Sequence, residues 1–426
     1  MNTAVVRVDT GGDEEASPPL LWLDQDSLLE LYKHVGMPLA LKLACRGTRA
    51  AAPTQTKTTM TDVVGSVPLL QWARANGCPW NKRTCAYAAE AGHLEVLQWA
   101  RANGCPWSKR TCSHAAEAGH LEVLQWARAN GCPWNNRTCW YAARNGHVDC
   151  LKWARENGCL WDQDTCADSA QGGHLNCLVW AREHGCEWTD RTCSEAAHGG
   201  HLDCLVWARE HGCEWSACTC AYAAQGGHLD CLVWAREHDC PWDDGTCASA
   251  AFRGHFDCLV WAREHGCPWD KNPKQMCKYA ANGGSLDCLK YTREHGCEWD
   301  KDTCTYAAEG GHLDCLMWAR ENGCEWHDDT CKYAANGGSL DCLKYAREHG
   351  CPWDDDTCAY AAQSAHTKQS SAHLEVLEWA LANGCPDPED SDDDNSEKDR
   401  RREGLEASEE SSEEESEEDG EEDGEQ

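Results

Sequence analysis

Along most of its length the chain alternates short apolar stripes with polar breaks at a fixed interval. Between Thr84 and Arg110, the run CAYAAEA stops at Gly92, and the run HLEVLQWARAN places Leu94, Leu97 and Ala100 on one side with Trp99 beside them. Apolar positions three and four apart mark one face of a helix, and a glycine after each run supplies the left-handed residue that commonly ends one. The pattern predicts two short helices per unit, with Thr84 as N-cap of the first. The segment CPWSKR then leads to the next unit, and Pro106 keeps the second helix from running on. The string GHLEVLQWARANGCPW occurs at Gly92–Trp107 and again, letter for letter, at Gly119–Trp134. The aromatic of the WAR element recurs every 27 residues from Trp72 to Trp261, then at Tyr291, Trp318, Tyr345 and Trp379 after two longer steps. So small a unit cannot enclose a core, and each must bury its apolar face on its neighbours. The expected fold is an all-α helix–turn–helix solenoid of about twelve repeats over residues 58–386.

The repeats themselves decide between packing and chemistry for most of the 33 cysteines and 20 histidines. One register holds Cys150, Cys177, Cys204 and Cys231, but Val96, Val123 and Val376 in other units. Valine neither ligates metal nor forms a disulfide, so this register asks for a small buried apolar group. His93, His120 and His174 give way to Ser285 and Ser339, and hydrogen bonding at a helix start is the task both residue types share. Two further registers are more constant: Cys78, Cys105 and Cys132 open a series found in all twelve units, and Cys85 one found in eleven. Their spacing within a unit is C-x6-C, without the C-x2-C pairs of zinc sites, which points to stacked, reduced core thiols. A metal- or redox-responsive thiol array is the competing reading. Tryptophan also has two registers, a helical one that tolerates Tyr291 and Tyr345, and a loop one from Trp80 to Trp353; both suit packing of one repeat on the next. An active site is built once, whereas these residues recur in every turn, and no nucleophile stands out with its own base and orienter. Walker, Rossmann, kinase and metalloprotease signatures are missing. No enzymatic activity and no cofactor are expected.

The pattern T-C-x-x-A-A-x-x-G-H-L-x-x-L resembles the ankyrin repeat. Thr84, Ala88, Ala89, Gly92, His93, Leu94 and Leu97 carry the match. Cys85 stands where ankyrin repeats prefer proline, and the unit is about six residues shorter than the usual 33, which shortens the connecting finger to a tight loop. The resemblance implies a protein-binding groove lined by loop tips and first helices. The positions that vary between units fall there: the triplet before the cap threonine (Asn81–Arg83 and its equivalents) and the exposed side of the first helix. The implied groove residues are Lys82, Arg83, Tyr87, Lys109, Arg110, His114, Arg137, Tyr141, Arg144 and Tyr222. Longer connections at Asp270–Met276 and Ser364–Ser371 are insertions that could protrude, and Met276 in place of threonine would deprive its helix of a cap.

Charge is unevenly spread. The formal net charge is −34, yet residues 66–145 carry nine bases and four acids, whereas residues 387–426 carry 22 acids and four bases. An acidic array repels nucleic acid and anionic lipid, so neither is an expected partner. A protein partner meeting a monomer is the expectation. The tail has too few apolar residues to fold alone. It is expected to be disordered, with Ser411, Ser412 and Ser416 resembling acidophilic kinase sites, and it could fold back on the basic first repeats. Residues 1–19 are expected to be disordered too. Residues 20–57 leave the repeat and resemble an F-box weakly through Leu41, Leu43, Ala44, Cys45 and Arg46; Leu28, Leu29, Leu41, Leu43 and Cys45 would then contact an adaptor. The alternative function is therefore substrate reception for a ubiquitin ligase, and the structural alternative is a cap for the first repeat. The N-terminus lacks a signal-peptide core and no stretch is long enough to cross a bilayer. A cytoplasmic or nuclear location follows.

Overall fold

A computed structural model of the protein describes residues 4–5, 22–23, 64–75, 80–269, 272, 274–353, 355–368 and 371–385. Among these residues there are 23 helices and one minimal antiparallel pair, β1 (Ala4–Val5) with β2 (Trp22–Leu23). The first three helices are α1 (Val67–Ala75), α2 (Lys82–Glu90) and α3 (Leu94–Ala102). From α2 onward helices come in pairs, the next being α4 (Lys109–Glu117) and α5 (Leu121–Ala129). The chain divides into two compact bodies, one up to Lys271 and one from Asn272, so the division falls within the longer connection at Asp270–Met276.

Within each body the first helices of successive units pack side by side, and the second helices lie against the first helix of their own unit. One leucine per unit is fully buried between neighbours: Leu97, Leu124, Leu151, Leu178, Leu205, Leu232 and Leu259 in the first body, and Leu289, Leu316 and Leu343 in the second. Paired alanines such as Ala88 and Ala89 are equally buried, which lets adjacent first helices approach closely. The valine/cysteine register is core as well, with Val96 at 3% exposure and Cys204 at 0%. Burial, reinforced by the adjacent Asp149 and Asp203, carries the thiols there upward, Cys150 to about 11 and Cys204 to about 12, so they act as inert apolar groups.

Thr84 does not cap its helix. α2 begins two residues earlier: Asn81 Oδ1 accepts the Arg83 N–H (2.9 Å), and Thr84 Oγ1 accepts the Asn81 N–H (3.2 Å), a reciprocal capping box. Ser108, Asp243 and Asp300 hold the equivalent cap position. The threonine sits one turn inside and is buried. Met276 accordingly replaces a core residue rather than a cap, and the Asn272 side chain accepts the Lys274 N–H where that helix starts (3.1 Å).

The histidine of the Gly–His pair does not cap its helix either. Its Nε2 reaches back to a carbonyl of the preceding unit, His120 to Glu90 O (3.0 Å) and His312 to Asn282 O (3.0 Å). The serines do cap: Ser285 and Ser339 accept from the N–H of Cys288 and Cys342. Each such ring lies flat over the glycine one unit earlier. A Cβ on Gly92 would stand 2.6 Å from His120 Cε1, whereas one on Gly311, facing Ser339, would stand 3.5 Å from the nearest atom. Both glycines have positive φ, +73° and +76°. At Ser364–Ser371 no such glycine interrupts the chain, and the first helix instead continues to Lys368 (Asp355–Lys368). That insertion is partly an added helical turn.

The loop tryptophans are half-buried packing elements. Trp107 lies edge-on to Trp126 (6.0 Å between centroids) and beneath the Arg101 guanidinium (4.1 Å). The corresponding Arg128 covers Trp134 (4.3 Å) and donates through Nη1 to the carbonyl of Cys132 (3.2 Å). The WAR arginine thus clamps the loop that follows its own helix.

Two stability predictions follow from this packing. Leu205→Ala should cost about 2–5 kcal/mol, read as a lower urea midpoint in far-UV circular dichroism. Gly92→Ala and Gly311→Ala share the left-handed backbone penalty of about 1–2 kcal/mol, but only the first also displaces a histidine, so it should lower the melting temperature more. Equal losses would mean that the ring contact carries no energy.

Candidate functional site

The variable triplets form the tips between a second helix and the next first helix. In three units their leading residue, Asn81, Ser108 or Asn135, is the N-cap, and the next two positions open the helix. In the first units these are Lys82 and Arg83, Lys109 and Arg110, and Asn136 and Arg137, all exposed. They occupy the opening turns of α2, α4 and the helix Asn136–Arg144, none of which has an acidic residue in its first turn. A cation at a helix N-terminus opposes the macrodipole, typically by 0.3–1 kcal/mol. Among the described residues, the side chains of Lys82, Arg83, Lys109 and Arg137 meet no carboxylate.

Farther along, the tips hold carboxylates, and these are met by side chains of neighbouring units. Asn136 Nδ2 donates to Asp162 (2.8 Å), and Arg191 pairs with Asp164 (2.8 Å). In the second body Lys278 reaches Asp302 (2.6 Å) and Asp300 (3.2 Å), and Lys332 reaches Asp356 (3.1 Å). Lys278 is held above and Asp302 below its ordinary range, the lysine's rise owing to its carboxylate partners and opposed by partial burial.

Of the first-helix residues expected in a groove, Tyr87 is half-buried against the core, His114 bonds Glu90 (Nδ1 to Oε2, 3.0 Å), and Tyr222 is 37% exposed with its ring edge-on to His198 (5.6 Å). Tyr141 packs against Trp140 (4.4 Å). Arg144 is engaged by Asp168 (3.5 Å) and lies over Trp140 (5.3 Å). The structure therefore brings Lys82, Arg83, Lys109, Arg110 and Arg137 to one kind of position, and Arg144 to a separate polar cluster. Leu28, Leu29, Leu41, Leu43 and Cys45 lie outside the described residues, as do Cys78 and the tail serines.

That cluster was not foreseen. Asp168, only 4% exposed, accepts from the Trp140 indole and pairs with Arg144, while Arg191, Asp164 and Glu195 stand around it. Burial raises Asp168 to about 6, with Arg144 and Arg191 opposing the rise. A signal was available in the sequence: Trp140 and Asp168 each depart from the small residue or aromatic ring of their register, in adjacent units. Among the described residues no group of three or more His, Cys, Asp or Glu side chains is gathered as metal ligands, and no helix is long and apolar enough to cross a membrane.

The sequence model of ankyrin repeats (many copies) matches residues 112–155. Over those residues the chain matches ankyrin repeats, and the units on either side share the same pattern. Among solved structures, the chain is similar to the human ASB11 ankyrin repeat domain, at 19% identity over 37% of this chain and 84% of that one, with a TM-score of 0.32. It is also similar to the pentatricopeptide repeat protein PPR10 in complex with an 18-nt psaJ RNA element, at 14% identity over 85% of this chain and 69% of that one, with a TM-score of 0.34. No curated protein matches. Ankyrin repeats are generally protein-interaction modules.

The pH response separates two sets of buried groups. Burial, reinforced by neighbouring histidines, lowers His174 and His228 below 6.5, with Asp230 partly opposing this at His228. Their contribution is complete above 6.5 and declines as pH falls toward their folded values, because the unfolded chain binds the protons first. Asp168 is raised, so between about 6 and 3.8 the folded state binds the extra proton and acid favours folding. Asp168→Asn should therefore steepen the loss of melting temperature on acidification below about pH 6.

Proposed function

We propose that this chain is a non-enzymatic protein-interaction scaffold whose first ankyrin repeats hold an acidic segment of a protein partner. The observation that carries this reading is the set of unneutralised cations at Lys82, Arg83, Lys109 and Arg137. They recur at the interval of the repeats and occupy the helix ends where positive charge is least favourable. Arg110 completes the row, and Tyr87 and His114 on the adjoining first helices offer contacts beside it. Later tips carry their own carboxylates, so the preference for an acidic ligand belongs to the first repeats. An extended segment suits a row of tips better than a compact ligand does, since each unit offers the same two positions again.

The test is fluorescence anisotropy of a labelled Glu/Asp-rich peptide with the whole chain. Binding that weakens as salt is raised is expected. Lys82→Glu with Lys109→Glu and Arg137→Glu should reduce affinity at least about tenfold, the equivalent of 1.4 kcal/mol. Equal binding by a Lys-rich peptide of the same length, or full affinity in the charge-reversed variant, would overturn the proposal.

A further inference from the structure

The two constant cysteine registers meet across each helix pair. The cysteine near the start of a first helix lies thiol to thiol with the loop cysteine 20 residues later, not with the one seven residues before it. Cys112 faces Cys132, Cys193 faces Cys213 and Cys304 faces Cys324, and the described residues contain ten such pairs. In one unit the Cys277 N–H donates to Cys297 Sγ at 3.0 Å, and Cys277 Sγ lies 3.8 Å from Cys297 O. The loop thiol is also tethered at the far end of its unit: Cys213 Sγ donates to Thr189 O at 3.2 Å and Cys324 Sγ to Asp300 O at 3.2 Å. None of the ten pairs is joined by a disulfide, and all of their cysteines are buried. For a small apolar filler one thiol per site would suffice. Two, placed face to face by fixed backbone and repeated through both bodies, form a ready dithiol.

We infer that these pairs are sites of reversible intra-unit disulfide formation, so that hydrogen peroxide staples each oxidised unit between the start of its first helix and the loop after its second. In most units the loop thiol is the more readily ionised partner. It accepts a hydrogen bond from the helix thiol and one from the backbone N–H of the helix cysteine, and the WAR arginines stand near it. The loop thiolate attacks one peroxide oxygen, the O–O bond breaks, and a sulfenic acid forms as water leaves after protonation. The helix thiol then gives up its proton and attacks the sulfenic sulfur, expelling a second water and closing the S–S bond. Two sulfurs lose two electrons in all, and one peroxide becomes two waters. Cys204, on a second helix, hydrogen-bonds Asp203 rather than a facing thiol and should stay reduced. The inference is independent of the acidic-partner proposal, because no pair includes a tip residue.

The experiment exposes the full-length reduced protein to hydrogen peroxide, alkylates the remaining thiols in denaturant, and maps tryptic peptides by mass spectrometry. Thiols should disappear two at a time, and the linked peptides should join cysteines 20 residues apart. Cys204 and its equivalents should be alkylated, and dithiothreitol should reverse the changes. Cys193→Ala should leave Cys213 alkylated while the other links persist. Links at other intervals, sulfinic acid on unlinked cysteines, a Cys213 that crosslinks elsewhere in the variant, or thiols left intact under peroxide that oxidises a free dithiol in the same solution would each overturn the inference.

Discussion

The burial of one helix pair by the next is what every other feature of this protein rests on. Leu205 is hidden because its neighbours cover it, and the same holds for each leucine of its register. A pair on its own would leave that face wet and forgo the roughly 1.5–3 kcal/mol that burying a leucine side chain supplies. Alanine in the first helix and a cysteine or valine in the second set the spacing at which this covering works, and the arginine clamp over the loop tryptophan holds the connection to that spacing. Stability in such an array is a sum of unit and interface terms rather than the property of one core. A local defect is consequently felt first by its neighbours.

Much of this was legible from the chain alone, because a repeat displays each position many times. Valine standing in for cysteine at residues 96 and 123 was enough to identify that register as apolar core. Helix ends at Gly92 and Gly104 could be placed from glycine alone, and both adopt positive φ. The misread positions share one cause, which is that their partners are distant in sequence. Thr84 has the residue type of a cap, but the cap is Asn81, and nothing local distinguishes the two. His120 looks like a helix start and instead bonds Glu90 of the previous unit. The pairing of Cys112 with Cys132 rather than with the nearer Cys105 depends on how the helix pair closes. The Asp168 cluster was missed because its members, Trp140, Arg144, Asp168 and Arg191, come from successive units.

The binding surface and the interior obey different rules. Inside, a position accepts little beyond leucine, alanine, cysteine, valine and the buried threonine of each first helix. At the tips the residues differ from unit to unit. Charge there changes from unneutralised cations at Lys82 and Lys109 to the carboxylates Asp302 and Asp356, each paired with a lysine on the first helix one unit earlier, Lys278 and Lys332. Recognition can drift along the array without disturbing what holds it together.

The flat contact between a histidine and the glycine one unit earlier makes the array a chain of identical couplings. Every unit that carries both halves offers a histidine backward and a glycine forward, so any two such units form a compatible seam when brought together. Whole units can therefore be duplicated or lost by recombination between near-identical segments, and the resulting protein still stacks. Where the last unit is lengthened, the coupling survives because the added residues extend a helix outside it: His373 Nε2 still bonds Asn336 O at 3.1 Å. The identical strings at Gly92–Trp107 and Gly119–Trp134 are what such copying leaves behind. Heredity can lengthen or shorten this protein in steps of 27 residues without designing a new interface.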